Sequence, residues 1–209
     1  MKKYDVVGIG NAVVDIISSC DDGFLEKMGI EKGIMQLIEK DRSEFLYNSM
    51  GSRTNAAGGS VANTVAGISS LGGKTAFVGR VCDDDLGRFY AQATRDAGTD
   101  FLNPPVPNGL LPTSRSMIFN SQDGDRSMNT YLGISGDLST DDIPTDLANI
   151  HIRFHGSHLL GKKILGNRLN LQLIEEEQRE IDRAKFLSAP SESAVIASSS
   201  IFQIPKNIS

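Results

Sequence analysis

Basic charge is in short supply in this chain: 21 Lys and Arg stand against 26 Asp and Glu, a net charge of −5. Contact with a nucleic-acid backbone needs a clustered excess of Lys and Arg, so that class of partner is excluded. An anionic small molecule is not, because backbone N–H groups hold anions without net positive charge. Cysteine is nearly missing too. Cys20 and Cys82 fit no metal-ligand spacing, and two lone thiols suit a reducing compartment better than a disulfide scaffold. The N-terminus lacks a long apolar run: the stretch after Lys3 is interrupted by Asp5, Gly8, Gly10 and Asn11, too soon for a signal peptide or a membrane span. The expectation is a cytoplasmic protein whose partner is a small molecule, with no nucleic acid and no membrane.

What is present is the ordinary make-up of a globular domain, 39% hydrophobic and 22% charged. The length suits one domain with at most a small appendage. Tyr4–Ile9 reads as a buried first strand, and Ala12–Ser18 as a further extended segment carrying one acid, Asp15. Helices are expected over Asp21–Met28 and Asp41–Met50, each closed by a glycine, with a strand at Gly33–Ile38 between them. Gly58-Gly59-Ser60 heads a helix over Val61–Leu71, where Val61, Val65, Ile68 and Leu71 share helical spacing and Gly72-Gly73 ends it. Thr75–Val81 reads as a strand and Asp85–Ala97 as an amphipathic helix. This βα alternation favours a three-layer α/β/α sheet.

From Asp100 the pattern changes. Pro104, Pro105, Pro107 and Pro112 mark a loop, and Ser114–Asn120 and Ser127–Leu132 form a hairpin around Gln122-Asp123-Gly124-Asp125. A hairpin in a βα chain implies a separate small sheet, with Gly33–Ile38 as its third strand.

Two places have the residue types that chemistry needs. Gly58-Gly59-Ser60-Val61-Ala62-Asn63 opens a helix, where glycines admit a ligand to the backbone, free N–H groups await a partner and Asn63 offers an amide one turn in. A helix cap with an incidental asparagine explains the same residues. Gly8-Ile9-Gly10-Asn11-Ala12 with Asp15 is the other. A dinucleotide fingerprint needs a glycine where Val13 stands and a helix directly after the strand, so a Rossmann oxidoreductase is disfavoured. A strand end presenting Asn11 and Asp15 suits a polyol, since a carboxylate only accepts and can take two vicinal hydroxyls; a turn residue at a sheet edge is the plainer alternative. Asp83-Asp84-Asp85 reads as a helix cap rather than a metal site, and Gly136-Asp137 as a turn. The three histidines, His151, His155 and His158, carry no metal assignment.

Together these phrases resemble the PfkB or ribokinase family, in its adenosine-kinase-like branch. The matching residues are Gly8-Ile9-Gly10-Asn11-Ala12 with Asp15, Gly58-Gly59-Ser60 with Asn63, Gly79, Asp84 with Gly87, Gly124-Asp125-Arg126-Ser127-Met128-Asn129, and Leu132-Gly133. They keep the family's order and spacing over about 140 residues; Val61 departs from the small residue usual in the glycine motif. The resemblance implies a ribokinase-like three-layer α/β/α sheet, here incomplete, with a small β-sheet lid near 33–39 and 113–133 that often doubles as a dimer face. It implies that Asn11 and Asp15 hold sugar hydroxyls over a floor of Gly58, Gly59 and Asn63, with Ser60 also substrate-binding. It also implies transfer from ATP, with Mg²⁺, to a sugar or nucleoside hydroxyl under a closed lid.

The family's catalytic Gly-Ala-Gly-Asp does not occur in the chain. The expectation is therefore the substrate-binding part of such a kinase over 1–150, inactive by itself and with no catalytic residue assigned. Residues 151–209, with their charged and Ser/Ala-rich stretches, are expected to be an aberrant or poorly ordered tail. A reading-frame slip near residue 150 would account for it: read one frame over, Leu160-Gly161-Lys162-Lys163-Ile164 can encode Trp-Glu-Lys-Asn. The alternative from another class is a non-catalytic nucleoside- or sugar-binding module, or a dimerisation module.

Overall fold

The computed structural model describes residues 3–144 and the backbone of 152–155. Its first sheet is parallel throughout, in the order β6 (Thr99–Phe101), β5 (Thr75–Val78), β1 (Val6–Ile9), β9 (Ile152–His155). Strands buried on both faces read as continuous apolar runs, and β1 and β5 are buried at every position. Helices α3 (Ser60–Ser70) and α4 (Asp85–Asp96) cover one face. There Val61 and Val65 pack with Phe77, and Phe77, Tyr90 and Phe101 form a ring cluster with centroids 5.7–6.3 Å apart. On the other face Val7, Ile9, Ala76 and Val78 are buried with Leu138.

The second sheet holds five strands in the order β3 (Met35–Leu37), β8 (Arg126–Tyr131), β7 (Ser114–Asn120), β2 (Val13–Ser19), β4 (Thr54–Gly58). Helices α1 (Asp22–Met28) and α2 (Lys40–Ser49) lie between its strands in sequence and close its core face around Leu25, Leu46, Met117 and Phe119. The hairpin turns where expected: Gly124 takes φ +89° and the Ser121 N–H donates to the Asp125 carbonyl at 3.0 Å.

Several expectations needed correction. The second sheet is not a three-stranded appendage: β2 and β4 belong to it, so the chain leaves the first sheet at Gly10 and enters the second by Val13. Thr99–Phe101, where no strand was expected, extends the parallel sheet beside β5. Leu71, placed on the buried stripe of α3, is 89% exposed, because the helix ends at Ser70 and Gly72 takes φ +92°. β9 runs parallel to β1; residues 145–151 and 156–209, with the proposed frame slip, fall outside the described residues. Among the described residues no helix is long and apolar enough to cross a membrane.

Candidate functional site

The site forms where the two sheets exchange strands. β2 pairs antiparallel with β4, setting Val13 opposite Gly58 and Asp15 opposite Ala56. Residues two apart on a strand share a face, so Asp15 and Gly58 are diagonal neighbours. Because Gly58 has no side chain, the Asp15 carboxyl lies directly over its Cα. A Cβ there would fall 2.5 Å from Cγ and 2.5 and 2.6 Å from the two carboxylate oxygens.

Gly59 is required for two reasons. Its φ of +102° lies outside the range open to ordinary side chains, and a Cβ would meet the Asn11 carbonyl at 2.5 Å. Asn11, Asp15, Gly58 and Gly59 therefore form one contact group, in which Asn11 takes part through its carbonyl. Ser60 and Asn63 belong to the first turn of α3. Both are exposed, and neither side chain has a hydrogen-bond partner among the described residues. Asn63 joins the group through its backbone, its N–H donating to the Gly59 carbonyl at 2.9 Å.

Val61 has a direct explanation. Its two methyls fill the space left by the missing side chains of Gly8 and Gly10: a Cβ on Gly8 would lie 2.6 Å from Cγ1, and one on Gly10 3.0 Å from Cγ2. The larger residue in the glycine motif is matched by Gly8 in β1 and Gly10 just after it.

Electrostatically, Asp15 is a half-buried carboxyl that takes no hydrogen bond among the described residues. Burial pushes its pKa up to about 6, and the Arg126 guanidinium on β8 pulls it the other way. An acceptor with both oxygens unengaged, beside bare backbone, is built to receive hydroxyl donors. Tyr90, whose contribution the sequence did not reveal, donates its hydroxyl to the Gly58 carbonyl at 3.0 Å from within the core. The only sequence signal for it is an aromatic on the apolar side of α4.

A second anchor fixes the root of the β7–β8 hairpin. Asp84 caps α4 through the Gly87 N–H at 2.8 Å and also accepts from the Thr113 N–H at 2.9 Å and the Thr113 hydroxyl at 2.7 Å. Its neighbours Asp83 and Asp85 pair with Arg88. The acidic run thus supplies one cap that joins the two sheets, and two surface ion pairs.

The mixed α/β architecture of the chain matches that of the ribokinase-like kinases. The chain belongs to the pfkB family of carbohydrate kinases, which it matches over residues 32–160. It is 44% identical to adenosine kinase from Sinorhizobium meliloti, whose crystal structure fits with a TM-score of 0.71 over 85% of this chain and 53% of that one. A probable sugar kinase from Rhizobium etli is 42% identical and has a TM-score of 0.71, over 79% of this chain and 50% of its own. Guanosine-inosine kinase from Escherichia coli is 27% identical over 150 residues, covering 68% of this chain and 34% of that protein. The chain spans about a third of the length of these curated relatives and about half that of the solved structures.

Proposed function

We propose that this chain carries the acceptor-binding half of an ATP-dependent kinase for a sugar or nucleoside hydroxyl, with adenosine the leading acceptor. The observation that carries the reading is the unengaged Asp15 carboxylate lying on Gly58. Asp15 and Asn11 receive the vicinal hydroxyls of the sugar, the Gly58–Gly59 backbone forms the floor, and Ser60 and Asn63 line the mouth. Adenosine leads because the Sinorhizobium meliloti relative, 44% identical, is an adenosine kinase.

In the complete enzyme ATP and Mg²⁺ supply the phosphoryl group and neutralise its charge. Among the described residues no three His, Cys, Asp or Glu lie together as metal ligands. The chain contains no Gly-Ala-Gly-Asp, and on this reading it binds the acceptor without transferring phosphate. The second sheet serves as a lid over the acceptor and as a face for self-association. In support of the latter, its edge strand β3 leaves Met35 56% and Leu37 58% exposed.

Calorimetric titration with adenosine, ribose, ATP and NAD tests the reading. Binding of adenosine or ribose without binding of ATP is expected, with no phosphorylated product on adding both. Binding of NAD, or of ATP alone, contradicts it.

A further inference from the structure

We infer that Tyr90 is a positioning residue for the acceptor site: its hydroxyl fixes the Gly58–Gly59 peptide on which the Asp15 carboxylate rests. Tyr90 is fully buried on α4, its ring held against Phe77 and Phe101 at centroid distances of 6.3 and 5.7 Å. The hydroxyl reaches past this cluster to the Gly58 carbonyl at 3.0 Å. A buried tyrosine hydroxyl needs a partner, and the carbonyl it takes belongs to the residue that Asp15 touches.

The Gly58–Gly59 peptide is trans, so its N–H points away from its carbonyl. Holding the carbonyl on Tyr90 therefore also sets the direction of the Gly59 N–H, which has no partner among the described residues. Two glycines in succession are otherwise the most permissive backbone a chain can have. At this position Asn11 limits Gly59 through its carbonyl, Asp15 lies on Gly58, and the Tyr90 hydroxyl is the one side-chain donor to the Gly58 carbonyl among the described residues. Without it the peptide loses its side-chain donor and is held only by the β2–β4 pairing that sets Gly58 opposite Val13. The charged group that acts on Asp15 is Arg126 from β8, and Asp15 in turn helps burial to push the Tyr90 hydroxyl up.

This inference rests on the proposed acceptor site, so its test has one arm that needs no ligand. In the full chain, Tyr90→Phe keeps the ring in its cluster and deletes only the hydroxyl. Losing the hydrogen bond is expected to weaken adenosine binding about fivefold or more. The Asp15 titration, followed at ¹³Cγ without ligand, should shift its midpoint by about half a pH unit or more. A change in melting temperature alone, with the Asp15 titration and the affinity both unmoved, overturns the inference and leaves Tyr90 a packing residue. So does a shifted titration with unaltered affinity in a chain that binds adenosine. Where the unmodified chain binds neither adenosine nor ribose, the proposed function fails, and the Asp15 titration alone decides the role of Tyr90.

Should Tyr90→Phe not fold, 3-fluorotyrosine at all four tyrosines replaces it as the probe, because it makes the hydroxyl a stronger donor without changing its shape. Movement of the Gly59 amide and Asp15 ¹³Cγ resonances supports the inference, and silence of both overturns it.

Discussion

The carboxyl of Asp15 occupies the place where a side chain on Gly58 would begin: a Cβ on Gly58 would be 2.5 Å from Asp15 Cγ. Backbone and carboxylate share one small volume, and nothing larger than hydrogen fits between them. Gly58→Ala must push Asp15 aside or move β4. The expected result is a loss of about 1–3 kcal/mol in stability, the usual cost of overpacking, together with loss of adenosine binding. Melting curves and calorimetry on the same preparation check both.

Asp15→Asn separates charge from shape. With a folded value of about 6 against 3.8 for the free group, the folded chain holds a proton that the unfolded chain releases between those values. Stability from this group is complete below about pH 3.8 and is lost as the pH rises through 6; the shift is worth up to roughly 3 kcal/mol. The asparagine variant has no such loss. It should therefore be as stable as the unmodified chain near pH 4 and more stable at pH 7.5, while binding a polyol only weakly. Denaturant unfolding across that range checks the sign, and a variant less stable at pH 7.5 contradicts it.

Acceptor binding should depend on pH in the opposite sense. The ionised carboxylate is the stronger acceptor for two hydroxyls, so affinity for adenosine rises from pH 5 to pH 7 and levels off above the Asp15 midpoint of about 6. In Asp15→Asn the residual binding is flat over the same range.

Asp84 and Asp83 stand side by side in sequence but do different work. Asp84 accepts from Gly87 and twice from Thr113, so Asp84→Ala removes a cap and strands the root of the hairpin, at an expected cost of about 2–3 kcal/mol. Asp83 makes an exposed ion pair with Arg88, and Asp83→Ala should cost no more than about 0.5 kcal/mol. Equal losses in the two variants would contradict this account.

Gly8 and Val61 should behave as a pair. A Cβ on Gly8 meets a Val61 methyl at 2.6 Å and a Val65 methyl at 2.9 Å. Gly8→Ala is expected to destabilise by about 2 kcal/mol or more, and adding Val61→Ala should recover part of that loss, because contacting sites couple. Thermal unfolding of the single and double variants checks it.

Much of the first sheet and the second-sheet hairpin was legible because periodicity and turn chemistry are local. Val61, Val65 and Ile68 mark α3, and Gln122-Asp123-Gly124-Asp125 marks the hairpin turn. Membership of β2 and β4 in the second sheet was not legible, since pairing between Asp15 and Ala56 is a long-range fact with no local signature. Thr99–Phe101 was hidden by its length, three residues after a glycine. In the site, Asp15 and the diglycine stood out by residue type. Tyr90 did not, because a buried aromatic on a helix looks the same whether or not its hydroxyl has a task.

The most direct test follows the Asp15 ¹³Cγ resonance as adenosine, and separately its 2′,3′-dideoxy analogue, is added to the chain. Hydroxyls that donate to the carboxylate stabilise its charged form, so adenosine should draw the Asp15 midpoint below about 6 and the analogue should leave it in place. Equal binding of both nucleosides with Asp15 unmoved would mean that this carboxylate is not what recognises the sugar.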